Sequence, residues 1–102
     1  MLRFSVVVLS VLFIASFAYA TEKPGIDLGE KLFQSESLGS NGKSCSSCHS
    51  GGKGLQEISS YDDATLKEMI NFCIRDALKG EMIGLDSNEM NSLLSYLRSF
   101  KM

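Results

Sequence analysis

Residues 45–49 read Cys-Ser-Ser-Cys-His and lie in the middle of a 102-residue chain, inside a stretch rich in serine and glycine that runs from residue 35 to 60. Such a stretch supplies turns but few side chains for a core, so hydrophobic burial of its own residues cannot order it. Within the motif, two thiols and an imidazole lie on a single turn. Something other than its own apolar residues must organise this stretch, which contains the cysteines of the motif.

The spacing C-x-x-C-H is typical of covalent haem attachment. Cys45 and Cys48 would form thioethers with the haem vinyl groups, and His49 would be the proximal ligand of the iron. A zinc site lacks a second ligand pair, because His49 is the only histidine and Cys73 the only other cysteine. A thioredoxin-like disulfide would need a strand-helix-strand context that the Ser/Gly-rich stretch lacks. The sequence therefore predicts one covalent haem c.

Residues 1–20 are predicted to be a cleaved signal peptide. They combine a basic start at Arg3, an apolar run from Phe4, and the small-residue pattern Ala18-Tyr19-Ala20 before polar Thr21. Serines interrupt the apolar run, which is shorter than the roughly 20 residues that span a bilayer. We therefore expect a periplasmic protein with no transmembrane anchor after cleavage, in which residues 21–102 form one domain.

Charge and size limit the function further. Removing the signal removes Arg3, one of 10 basic side chains, and leaves 9 against 12 acidic ones. This acidic balance gives no indication of nucleic-acid binding. A domain of this size is marginally stable on its core alone, so a large apolar cofactor would complete its interior.

Three segments have helical periodicity, and none has the pattern of a strand. The first begins at Asp27, the second runs from Asp62 to a stop at Gly80, and the third follows an N-terminal cap predicted at Asp86–Glu89. Their apolar positions are Leu28, Leu32 and Phe33; Leu66, Met69, Ile70, Cys73, Ile74, Ala77 and Leu78; and Met90, Leu93, Leu94, Leu97 and Phe100. The sequence thus predicts an all-α domain of about three helices with a loop-rich middle.

The chain resembles class I c-type cytochromes. Gly29 to Phe33 match the G-x-x-L-F pattern of their first helix, and the haem motif and a last helix containing Tyr96 follow. The resemblance implies a small cytochrome c fold in which the helices pack around one haem. It also implies that the first and last helices cross, with Gly29 facing Leu93, Tyr96 or Leu97.

The resemblance leaves the distal iron ligand open. Class I cytochromes usually place a methionine before the last helix, often followed by proline, but Pro24 is the only proline of this chain. Met82 is the best-placed methionine, because it lies in the predicted loop Gly80–Gly84 between two helices. It could equally be a loop methionine packed on the core.

Cys73 is the rival distal ligand. Ile70–Cys73 and Asp86–Met90 resemble segments of thiosulfate dehydrogenases and sulfur-oxidising haem subunits, families in which a cysteine thiolate can bind the iron. Cys73 could also be a small buried hydrophobe on the core face of its helix. Met69 and Met90 are further candidates for the distal ligand, but they lie in helical stripes, where methionine more often fills core space.

The leading functional hypothesis is a one-electron carrier that docks transiently with redox partner proteins. An enzyme or enzyme subunit that acts on a sulfur compound through Cys73 is one alternative. A haem-based sensor that binds a small ligand at an open sixth position is another. No catalytic residue is predicted, and the sequence does not indicate an oligomeric state.

Overall fold

The computed structural model describes residues 25–100, so the predicted signal peptide lies outside the described residues. Four α-helices follow one another: α1 (Ile26–Gln34), α2 (Cys45–His49), α3 (Asp63–Phe72) and α4 (Asn88–Arg98). Short 3-10 turns lie at Glu36–Leu38, Ser50–Gly52 and Ile58–Ser60, and a π-helical turn at Cys73–Ala77 continues α3. The described part contains no strand, which confirms the all-α class. It also contains no helix long and apolar enough to cross a membrane.

The number of helices differs from the predicted three because the C-x-x-C-H motif itself forms α2. A five-residue helix is too short to show hydrophobic periodicity, so the sequence pattern could not reveal it. The other three helices lie where they were predicted, with α1 beginning one residue before Asp27.

Helices α1 and α4 cross at Gly29, as the resemblance implied. A Cβ atom at this position would lie 2.0 Å from the carbonyl oxygen of Ser92 and 2.6 Å from the Cβ of Tyr96. Next to the crossing, the rings of Phe33, Tyr96 and Phe100 contact one another edge to face, with centroids 5.0 to 5.7 Å apart. The missing side chain at Gly29 therefore allows the two backbones to approach closely.

The predicted stop of the second helix is wrong in its detail. The residue with left-handed backbone is Lys79 (φ 57°), not Gly80. Gly80 is required for a different reason, because a Cβ there would lie 1.9 Å from the carbonyl oxygen of Leu38. Before this point the π-helical turn, closed by a 3.1 Å bond from the Leu78 N–H to the Cys73 carbonyl, keeps Ile74 and Leu78 in the core.

The predicted cap of the last helix is also displaced. Ser87 is the N-cap of α4, and its hydroxyl accepts a 3.1 Å hydrogen bond from the Met90 N–H. Asp86 lies one residue before this cap, in a turn in which the Ser87 N–H donates a hydrogen bond to the Gly84 carbonyl. Its carboxylate instead lies 3.7 Å from the Lys67 ammonium.

Residues outside the motif hold the middle of the chain, and one apolar residue of the stretch itself contributes, contrary to the expectation that burial of its own residues cannot order it. Ile58 is buried in the core. The Arg98 guanidinium donates to the carbonyl oxygens of Ile58 at 2.7 Å and Tyr61 at 2.6 Å, and to the Asp63 carboxylate at 3.0 Å. The buried hydrophobic residues around this anchor are Phe33, Ile58, Leu66, Ile70, Ile74, Leu78, Met90, Leu93 and Leu97.

Candidate functional site

The serines of the C-x-x-C-H motif fix the start of α2. The hydroxyl of Ser47 accepts a 2.9 Å hydrogen bond from the Ser44 N–H, and the hydroxyls of Ser44 and Ser46 are 2.8 Å apart. Ser44 is buried, so these bonds are partly shielded from bulk water. Serine is favoured at such positions because its short side chain satisfies the free N–H groups of a helix end. The turn that carries the two thiols and the imidazole is therefore set by local hydrogen bonds.

The His49 ring is oriented by a backbone carbonyl four residues further along the chain. Its Nδ1 atom lies 2.8 Å from the carbonyl oxygen of Lys53. When Nδ1 donates its proton to this carbonyl, Nε2 keeps a free lone pair, which is the usual arrangement of a metal-binding histidine. Gly51 and Gly54, with φ of 64° and 81°, turn the chain so that this carbonyl reaches the ring. His49 is thus prepared to bind a metal through Nε2.

One cavity adjoins this ring. The space inside it that the centre of a water molecule can occupy is about 90 Å³. Every helix contributes to its almost wholly apolar wall, which consists of Phe33, Cys45, His49, Leu55, Ile58, Leu66, Met69, Ile70, Cys73, Leu93 and Leu97.

The cavity brings two of the three thiols together. Burial raises the pKa of Cys45, and the neighbouring Cys73 raises it further. Cys73 is exposed, so the alternative that it is a small buried hydrophobe is wrong. Partial burial still raises its pKa, with a second contribution from the Asp76 carboxylate. The side chains of Cys45 and Cys73 are therefore protonated, uncharged thiols at neutral pH. Cys48 is exposed and does not line the cavity.

Met82 is not brought to this cavity. Its side chain is 52% exposed and is not among the lining residues. The next residue, Ile83, is held by the buried Asn71, whose amide accepts from the Ile83 N–H and donates to its carbonyl, both at 2.8 Å. The loop is therefore fastened to α3 beside Met82.

Met69 is the lining residue that the sequence analysis had assigned to core packing. It is 36% exposed, whereas Met90 is completely buried. Its separation of four residues from Cys73 was the available signal, because side chains at i and i+4 share one face of a helix. Periodicity alone could not distinguish the core from the wall of a cavity.

No known protein family, curated protein or solved structure matches the chain. Among the described residues, no three His, Cys, Asp or Glu side chains are grouped so as to hold a metal ion. The candidate site is therefore defined by its own geometry: an oriented imidazole and two thiols on the wall of an apolar cavity.

Proposed function

We propose that the chain is an exported c-type cytochrome that carries single electrons between redox proteins. The observation that carries the proposal is the 2.8 Å contact between His49 Nδ1 and the Lys53 carbonyl, at the wall of a cavity that also contains Cys45. The sequence motif supplies the second thiol, Cys48, three residues after the first.

The residues present fit a haem. A planar apolar cofactor needs an apolar cavity, and the surrounding helices provide one. Cys45 and Cys48 would hold it through thioethers, and His49 would bind its iron through Nε2. A bound haem supplies reversible one-electron chemistry, while the protein supplies attachment, burial and axial ligands. In the proposed small cytochrome c fold, α1 and α4 would cover one side of the haem through Phe33 and Leu97, which line the cavity.

A carrier is favoured over an enzyme because the wall of the cavity is almost entirely apolar. Its potential hydrogen-bonding side chains are two thiols and one imidazole, and the proposal already uses Cys45 and His49. Electron transfer needs only an accessible haem edge and transient docking, so no further polar side chains are needed.

One observation keeps the sulfur-compound enzyme as a second candidate. Cys73 lies on the same cavity wall as His49, so its thiol would be close to a bound haem. An enzyme of this kind would turn over a sulfur compound and lose that activity in Cys73→Ser, whereas the redox cycling of a carrier would survive the substitution.

The test is haem attachment and electron transfer in the full chain, produced together with a cytochrome c maturation system. We expect the purified protein to carry one haem that survives denaturation, with a mass increase of one haem. Cys45→Ala and Cys48→Ala should each lose one of the two thioethers, and His49→Ala should lose the low-spin spectrum. Cys73→Ala is the matched cysteine control and should keep both thioethers. Absence of covalent haem in the wild-type protein would refute the proposal.

A further inference from the structure

Two thiols from different elements line the same cavity. Cys45 is the first residue of α2, and Cys73 is the first residue of the π-helical turn that continues α3. Their side chains are close enough to interact electrostatically, because Cys73 adds to the effect of burial in raising the pKa of Cys45. The fold therefore brings together two cysteines that are far apart in the sequence.

We infer that Cys45 and Cys73 form a disulfide in the haem-free chain and that this bond regulates haem attachment. The effect on haem rests on the proposed function, whereas the bond itself rests on the position of the two thiols. The proposed export brings the chain into a compartment where thiols oxidise. A cysteine in a disulfide has no thiol left to form a thioether, and this bond lies on the wall against which the haem would pack. Haem attachment then requires that the disulfide be reduced first.

Cys48 is the competing partner of Cys45, and its position disfavours it. Cys48 is exposed and does not line the cavity. Side chains three residues apart on a helix have Cβ atoms about 5–6 Å from each other, whereas a disulfide joins Cβ atoms about 3.5–4.5 Å apart. A bond within the motif would therefore distort the first turn of α2, which the 2.9 Å hydrogen bond between the Ser44 N–H and the Ser47 hydroxyl holds in place.

Exposure makes Cys73 the point at which oxidation begins, because its sulfur is open to a disulfide reagent such as oxidised glutathione. The Cys73 thiol loses its proton and attacks one sulfur of the reagent, whose S–S bond breaks as a mixed disulfide forms and one glutathione leaves. The Cys45 thiol then loses its proton, attacks the Cys73 sulfur and releases the second glutathione. In total the two protein thiols lose two electrons and two protons, and one oxidised glutathione becomes two thiols.

The test uses the full chain produced without a haem maturation system, first reduced and then treated with oxidised glutathione. Digestion without reductant, followed by mass spectrometry, identifies which cysteines are joined. In native buffer we expect the bond between Cys45 and Cys73 to be the main product, and the variant Cys48→Ser to form it as well. In denaturing urea the short loop between Cys45 and Cys48 should close instead. The inference is overturned if the native chain forms no disulfide, if it mainly joins Cys45 to Cys48, or if urea leaves the products unchanged.

Haem uptake tests the regulatory role. Reduced and oxidised samples are titrated with ferric haem in the absence of oxygen, and binding is followed by absorbance. The oxidised wild-type chain should lose most of its haem binding and recover it after reduction, whereas Cys73→Ser should bind haem equally before and after oxidation. An unchanged affinity of the cross-linked chain, or an equal loss in Cys73→Ser, would contradict this role. If even the reduced chain takes up no haem, the proposed function fails, and the disulfide is judged separately from the digest.

Discussion

The Nδ1 atom of His49 lies 2.8 Å from the carbonyl oxygen of Lys53, four residues further along the chain. This bond closes a loop that contains Gly51 and Gly52, and donation from Nδ1 would leave Nε2 free for the proposed haem iron. A hydrogen bond to a backbone carbonyl also makes the ring a better electron donor to a metal. The conformation of the loop is therefore coupled to the electronic properties of the proposed haem.

Gly54→Ala tests this coupling. Gly54 has φ of 81°, a backbone conformation that costs a residue with a side chain about 1–2 kcal/mol. Relief of this strain would rotate the neighbouring Lys53 peptide and weaken its bond to His49. We expect a lower free energy of unfolding together with a changed midpoint potential, measured by urea unfolding and by redox titration of the haem protein.

The matched control is Gly42→Ala, outside this loop. Gly42 also has a left-handed backbone, with φ of 74°, and a Cβ atom there would contact nothing within 4 Å. This variant should lose similar stability and keep the midpoint potential of the wild type. Equal shifts of potential in both variants would contradict a specific effect of the Lys53 carbonyl.

Gly29→Ala should destabilise the protein through the helix crossing. The added methyl group would overlap the Ser92 carbonyl and the Tyr96 Cβ, and backbone cannot move aside as a side-chain tip can. Overpacking costs about 1–3 kcal/mol, from which a gain of up to about 1 kcal/mol in helix propensity is subtracted. We expect a net loss of about 1–2 kcal/mol in urea unfolding. Gly84→Ala is the control, because its Cβ would lie at an ordinary 3.6 Å from the Ser87 Cβ.

Arg98→Met should loosen the middle segment more than Asp63→Asn does. The first change leaves the Ile58 and Tyr61 carbonyls without their guanidinium donor, at a cost of about 1–3 kcal/mol. The second removes only an ion pair whose Asp63 side chain is 69% exposed, and such pairs contribute about 1 kcal/mol or less. Hydrogen exchange of residues 55–62 should rise strongly in Arg98→Met only. Equal destabilisation by both variants would mean that the ion pair dominates.

Apolar spacing located the three periodic helices, whereas the crossing at Gly29 was implied by the resemblance to class I cytochromes. Sequence patterns could not predict contacts between a residue and backbone groups that are far away in the sequence. Gly80 looked like a helix stop, but its contact with Leu38 joins segments about forty residues apart. The role of Arg98 likewise depends on backbone carbonyl groups, whose positions a residue pattern does not predict.

For the candidate site, the motif predicted Cys45 and His49. The exposure of Met69 and the hydrogen bonds that hold Ile83 could be seen only in the three-dimensional structure.

Asp62 should make the stability of the protein depend on acid pH. Its carboxylate caps α3 by accepting a 2.7 Å hydrogen bond from the Thr65 N–H, and this bond is the main cause of a lowered pKa. Because the folded-state pKa lies below the unfolded one, the carboxylate stabilises the fold above the unfolded pKa, near pH 4. This contribution is lost as the pH falls through the folded pKa.

Asp62→Asn keeps a capping oxygen but does not titrate. Its stability should therefore approach that of the wild type as the pH falls below about 4, when both proteins are followed by urea unfolding at a series of pH values. Ser87→Ala removes the cap of α4, which carries no titrating group, and should lower stability by about 1 kcal/mol at every pH. If Asp62→Asn instead differs from the wild type by a constant amount from neutral to acid pH, the Asp62 cap acts through its hydrogen bond alone and its charge contributes nothing.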